Sequence, residues 1–153
     1  MLRISKLADY GTVVMVYLAK HPQELCNARD IALQTHLSVP TVSKILKRLT
    51  GAGLLTSVRG VTGGYRLQRP AAEISVSQII YALEEHRGIT ECSLEANDCS
   101  LQGVCAIQGN WRLISRAIET ALDSVSLEAL AKPTLHNRDV ERVRQLASGV
   151  NRG

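Results

Sequence analysis

Three cysteines fall close together in the 153-residue sequence: Cys92, Cys99 and Cys105, spaced C-x6-C-x5-C among Glu91, Glu95, Asn97 and Asp98. In a reducing compartment such a group reads as metal or redox chemistry before disulfide bonding. Structural zinc wants at least one C-x(2-4)-C knuckle, which is missing here. An iron-sulfur cluster accepts wider spacing, because a loop wraps a larger inorganic core, and three cysteines leave one ligand position open. Three reduced thiols with no metal is an equal alternative at this point. Cys26 stands apart and suits a small buried hydrophobe. His86, six residues before Cys92, suits the negative pole of a helix end.

The segments around the cysteines carry the periodicity of helices. Ser5 can cap a helix with Leu7, Tyr10, Val14, Tyr17 and Leu18 on one face, ending near Lys20-His21-Pro22. Asn27 opens a short helix over roughly 28 to 35, and Ser38 opens a third with Pro40 in its first turn. In that third helix Val42, Ile45, Leu46 and Leu49 face the core, and Thr41, Lys44, Lys47 and Arg48 face outward. Two short strands follow, Leu54 to Val58 and Tyr65 to Gln68, around a glycine-rich tip. Ser75 and Gln78 form a capping box for a helix ending at Arg87-Gly88. Periodicity fails from Gly88 to Gly109, the cysteine loop, and resumes in a long helix striped by Trp111, Ile114, Ile118, Ala121, Leu122 and Val125. A polar tail begins at Pro133. The expected organisation is a mainly helical chain with a β-hairpin wing: a winged helix-turn-helix over 1–87, a cysteine loop over 88–109, a helix over 110–132 and a tail over 133–153.

Charge separates this reading from a generic helical domain. Between Asp30 and Glu73 there is no acidic residue, while Lys44, Lys47, Arg48, Arg59, Arg66 and Arg69 lie inside that window; a net charge of +4 then leaves −2 on the remainder. A one-signed block matched to a helix-turn-helix and a hairpin suits double-stranded DNA. A helix enters the major groove, so Ser38, Thr41, Ser43 and Lys44 would read base edges while Lys47 and Arg48 would hold phosphates. Arg59, next to Gly60 at the wing tip, would enter the minor groove and sense its width, and Arg66 would touch the backbone.

Several classes fall away. No apolar run reaches the ~20 residues of a membrane span, so the expected location is the cytoplasm. No Ser-His-Asp set or paired carboxylates emerge, and Gly60-Val61-Thr62-Gly63-Gly64 lacks the lysine and serine of a phosphate loop, so no enzyme is expected. An iron-sulfur carrier using its winged helix as a protein-docking module would not need so one-signed a wing.

The run Gly53-Leu54-Leu55-Thr56-Ser57-Val58-Arg59-Gly60-Val61-Thr62-Gly63-Gly64-Tyr65-Arg66-Leu67, the opening Leu7-Ala8-Asp9-Tyr10-Gly11 and the cysteine loop before Trp111 resemble the Rrf-two family of bacterial winged-helix regulators. The family includes iron-sulfur and nitric-oxide sensors, and the resemblance spans about residues 1 to 132. Within the family the opening and the wing look closest to regulators of SUF iron-sulfur cluster assembly. The resemblance implies a homodimer held by the long helix, with Trp111, Ile114, Ile118 and Leu122 at its interface. It implies a cluster, two-iron or four-iron, on Cys92, Cys99 and Cys105, and control of genes that build or repair clusters. One family pattern places a histidine three residues after the third cysteine, where this chain has Gln108. Another uses an acidic residue from the partner's first helix, and Asp9 stands at the matching place.

Overall fold

The computed structural model describes residues 3–84, 90, 105–133 and 141, 143, 145 and 146. The first four helices begin where a serine or asparagine side chain accepts a backbone N–H three residues on. Ser5 caps α1 (Lys6–Lys20), Asn27 caps α2 (Ala28–Thr35), Ser38 caps α3 (Val39–Gly51) and Ser75 caps α4 (Val76–Leu83), the last through a complete capping box with Gln78. Between α2 and α3 His36 adopts the left-handed conformation at φ 56°, and the Leu37 N–H returns to the Ala32 carbonyl at 3.1 Å. This tight turn sets α3 against α2.

The apolar face of α3 is the centre of the core. Val42, Ile45, Leu46 and Leu49 are fully buried against Val14, Met15 and Leu18 of α1 and Ile79 and Leu83 of α4. Each such side chain contributes about 1.5–3 kcal/mol by leaving water. Gly11 lets α1 and α4 approach closely: a Cβ built there would lie 2.0 Å from Leu83 Cδ1 and 3.8 Å from Ile45 Cγ2.

After α3 the chain forms β1 (Leu55–Val58) and β2 (Gly64–Leu67), antiparallel with Leu55 opposite Leu67 and Val58 opposite Gly64. Leu54 and Gln68, expected within the strands, flank the ladder and are joined by a bond from the Gln68 N–H to the Leu54 carbonyl at 3.1 Å. The hairpin is tied to the segment before α2 by two further bonds, Cys26 N–H to the Tyr65 carbonyl at 3.0 Å and Tyr65 N–H to the Cys26 carbonyl at 2.9 Å. Gly64 is needed there, because a Cβ would sit 2.8 Å from the Cys26 oxygen. At the tip Gly60 has φ 116°, a conformation that side chains disfavour.

A short 3-10 turn (Ala71–Glu73) leads into α4, which ends at Leu83 rather than at Arg87-Gly88. Glu84 is extended, and its carboxylate accepts the Ser5 N–H at 2.8 Å, so the residue leaves the helix to close the start of α1. Residues 85–89 lie outside the described set.

The helix expected over 110–132 is two helices, α5 (Gln108–Asp123) and α6 (Leu127–Leu130). They are separated because the intervening backbone is used elsewhere: the Val125 carbonyl accepts the Val76 N–H at 2.9 Å, and the Leu127 N–H reaches the Ile74 carbonyl at 2.7 Å. Ser126 caps the second helix. Asp123 accepts from Ser75 Oγ at 2.8 Å and from the buried Ser77 hydroxyl, fixing the end of α5 to the start of α4.

Candidate nucleic-acid interface

The outer face of α3 and the hairpin carry the residues expected to meet DNA. Ser43, Lys44 and Lys47 are exposed along α3, opposite its buried stripe, and Arg59 and Arg66 are exposed on the hairpin. Among the described residues nothing hydrogen-bonds or ion-pairs with the side chains of Lys44, Lys47, Arg59 or Arg66. Cations held out without a protein partner are available to phosphate oxygens. Gly60 gives the hairpin its turn directly after Arg59.

Three residues behave differently from their simplest reading. Ser38 and Thr41 engage each other: Ser38 Oγ accepts the Thr41 N–H at 3.3 Å, and the two hydroxyls lie 2.7 Å apart. Both serve the helix cap, and Thr41 is half-buried. Arg48, expected at a phosphate, turns inward and donates from Nη1 to the Leu83 carbonyl at 2.8 Å. It thereby ties α3 to the last turn of α4. Sequence spacing gave no sign of this link, whose partners lie 35 residues apart.

Of the four cysteines, two are described. Cys26 is buried, and burial, reinforced by the charges of Glu24 and Asp30, pushes its thiol above the usual range, which makes it a poor nucleophile. The same burial raises the Tyr17 hydroxyl beside it. Cys105 is a free, half-buried thiol just before α5, with its carbonyl accepting the Gln108 N–H at 3.4 Å. Cys92 and Cys99 lie outside the described residues. Asp9 is exposed in the first turn of α1. Among the described residues no three His, Cys, Asp or Glu side chains group closely enough to hold a metal ion.

The stripe on α5 divides in two. Leu122 packs against the chain's own core, as does Val125 beyond the helix end. Ile114 and Leu113 are 44% and 43% exposed, and Trp111 and Ile118 are half-buried. No side chain of α5 is fully buried. No helix among the described residues is long and apolar enough to cross a membrane.

Comparison with known proteins agrees with this architecture. A family model described as Rrf2, iron-dependent transcriptional regulator, matches residues 4–133. The chain is 31% identical over 132 residues to the Protein rrf2 of Nitratidesulfovibrio vulgaris, covering 86% of this chain and 88% of the relative. It is 33% identical over 132 residues to the HTH-type transcriptional regulator IscR of Xenorhabdus nematophila, covering 86% and 80%. Among solved structures, CymR, the global cysteine regulator of B. subtilis, superposes with a TM-score of 0.69 at 34% identity over 88% of this chain and 99% of that one. IscR of T. potens superposes at 0.66 with 32% identity over 84% and 86%. With a winged helix-turn-helix whose outer face is cationic and a family model spanning most of its length, the chain belongs to the Rrf2 family of DNA-binding transcriptional regulators and is not an enzyme.

Proposed function

We propose that this regulator is a cytoplasmic homodimer whose DNA binding is controlled by an iron-sulfur cluster, and that it governs genes for cluster assembly of the SUF or ISC kind. Cys92, Cys99 and Cys105 would hold the cluster, with Asp9 of the partner subunit as the fourth ligand. The observation that carries this reading is the placement of three cysteines in the single segment joining α4 to α5. The donor chemistry suits the group. Cys105 is an unpaired thiol and Asp9 an exposed carboxylate, so each is available as a ligand. When bound, the cluster supplies a redox-active centre that is lost or altered by oxidants and by iron shortage.

The chain's own residues supply the coupling. The last turn of α4, where the cysteine segment departs, holds Arg48 of α3 through the Leu83 carbonyl and the start of α1 through Glu84. The first turn of α4 holds α5 through Asp123. A rearrangement of the cysteine segment therefore bears on the helix that carries Ser43, Lys44 and Lys47. The wet apolar face around Trp111, Ile114 and Ile118 supports dimerisation through α5. In a dimer, two reading helices must lie about one DNA turn, ~34 Å, apart, so a small rotation changes operator affinity. A coupling of about 1–3 kcal/mol suffices for a switch.

Anaerobic purification followed by visible absorption and iron and sulfide analysis tests this, on the parent and on Cys99→Ala. A brown parent, a colourless variant and different affinities of loaded and cluster-free protein for the promoter upstream of its own gene are expected. A parent that stays colourless after chemical reconstitution overturns the cluster. The likeness to CymR, a cysteine regulator by name, favours one second reading: a cluster-free repressor that responds through its thiols.

A further inference from the structure

The tip of α3 presents carbon to solvent. Val39 is its first residue, directly after the Ser38 cap, and is 42% exposed, whereas Val42, Ile45, Leu46 and Leu49 on the same helix are fully buried. More than half of the side chain is covered, beside Leu33 and Leu37 in a shallow surface pocket, and the remainder meets solvent, although valine is a mediocre helix former. Its polar neighbours are engaged with one another. The Ser38 and Thr41 hydroxyls bond each other, Ser38 Oγ also takes the Thr41 N–H, and Pro40 has no N–H to offer. Side chains with no bond to the described protein follow one turn later, at the exposed Ser43 and Lys44. The first turn of the helix thus offers a duplex an apolar surface, bordered by Arg29 and Asp30 across a shallow surface pocket and followed along the helix by Lys44 and Lys47.

One base edge in the major groove matches such a surface. Thymine alone among the four bases presents a methyl group there, at C5. We propose that Val39 is a specificity-determining residue that packs against the C5-methyl of a thymine in each half-site. This rests on the reading that α3 enters the major groove. Ser43 and Lys44 then address the adjoining base pairs through their polar atoms, and Val39 adds selection for thymine where no hydrogen bond is made.

The test uses deoxyuridine, which pairs as thymidine does and lacks only that methyl. A duplex is selected from a random pool with the parent protein and resynthesised with each thymine replaced singly by deoxyuridine. Binding is then measured by fluorescence anisotropy at fixed salt with competitor DNA. Replacement at one thymine per half-site is expected to weaken parent binding about fourfold, the factor for one buried methyl-sized group. Val39→Ala, at an exposed site where alanine is the better helix former, is expected to bind the thymine duplex correspondingly less tightly and to show no further loss on the deoxyuridine duplex. If no replacement affects the parent, or if Val39→Ala suffers the same loss at that thymine as the parent, the proposal is overturned while sequence-selective binding stands. If the pool yields no enriched duplex, the DNA-reading role of α3 falls with it.

Discussion

Replacing Gly11 with alanine tests how α1 is seated against α4 and α3. The added Cβ would lie 2.0 Å from Leu83 Cδ1, where carbon atoms at rest keep about 3.5–4.0 Å. Leu83 is 2% exposed, so its side chain has no solvent to move into. Overpacking of this kind costs about 1–3 kcal/mol. Alanine returns about 1 kcal/mol of helix propensity, so the net loss is about 0–2 kcal/mol. Leu83→Ala alone leaves a cavity and costs about 2–5 kcal/mol. In the double variant the clash is gone and the new methyl fills part of the cavity. Its destabilisation is therefore expected to fall short of the sum of the two single losses by about 1–3 kcal/mol. Urea unfolding followed by far-ultraviolet circular dichroism measures all four proteins at one protomer concentration, because self-association, where it occurs, makes stability depend on concentration. Additivity within about 0.5 kcal/mol, or a Gly11→Ala protein more stable than the parent, would refute the close α1–α4 contact.

Other substitutions separate residues that hold the fold from residues that meet DNA. Lys47→Ala is expected to weaken binding to all duplexes and to lower the salt slope by about 1, with stability within about 0.5 kcal/mol of the parent. Arg48→Ala should do the reverse, losing about 1.5–3 kcal/mol of stability as the Leu83 carbonyl loses a charged donor and leaving the salt slope as it was; a reduced slope would return Arg48 to the phosphates. Asp123→Ala takes the charged acceptor from Ser75 and from the buried Ser77 hydroxyl, leaving the two serines to each other at 2.9 Å, and should cost about 1–3 kcal/mol in urea unfolding, a loss that Asp123→Asn partly restores. The Cys26 thiol, raised first by burial and then by Glu24 and Asp30, should react with iodoacetamide more slowly than Cys105 in native protein at about pH 8, by peptide mass mapping. Because the fold favours the neutral thiol, its contribution to stability is full below the ordinary value of 9.0 and falls as pH rises through the raised one.

What the sequence disclosed is what neighbouring residues decide. The caps at Ser5, Asn27, Ser38 and Ser75 each act on a backbone N–H three positions away, so a short motif contains both partners. The buried stripe of α3 follows from its period, and the outward place of Lys44 and Lys47 follows from the stripe. Long-range bonds were not legible. Arg48 to Leu83, Glu84 to Ser5 and Asp123 to Ser77 span 35, 79 and 46 residues, and no local pattern distinguishes an arginine bound for a carbonyl from one bound for a phosphate. For the same reason periodicity aligned Leu122 with Trp111 but could not tell that Leu122 packs on the chain's own core. The break between α5 and α6 also had a distant cause, the backbone bonds to Ile74 and Val76.

The bridge between Cys26 and Tyr65 fixes how the two halves of the DNA-facing surface can share a ligand. With two backbone bonds and a glycine contact too close for any side chain, the hairpin's root cannot hinge against the segment that feeds α2. If α3 and Arg59 read the two grooves as proposed, they do so from roots held at one separation. One extra base pair between the two contacts would move them apart by about 3.4 Å and around the axis, a change that the fixed root does not take up. The duplex would then have to deform, and operators whose intervening steps bend cheaply are expected to bind better than those with identical contacted bases on a stiffer frame.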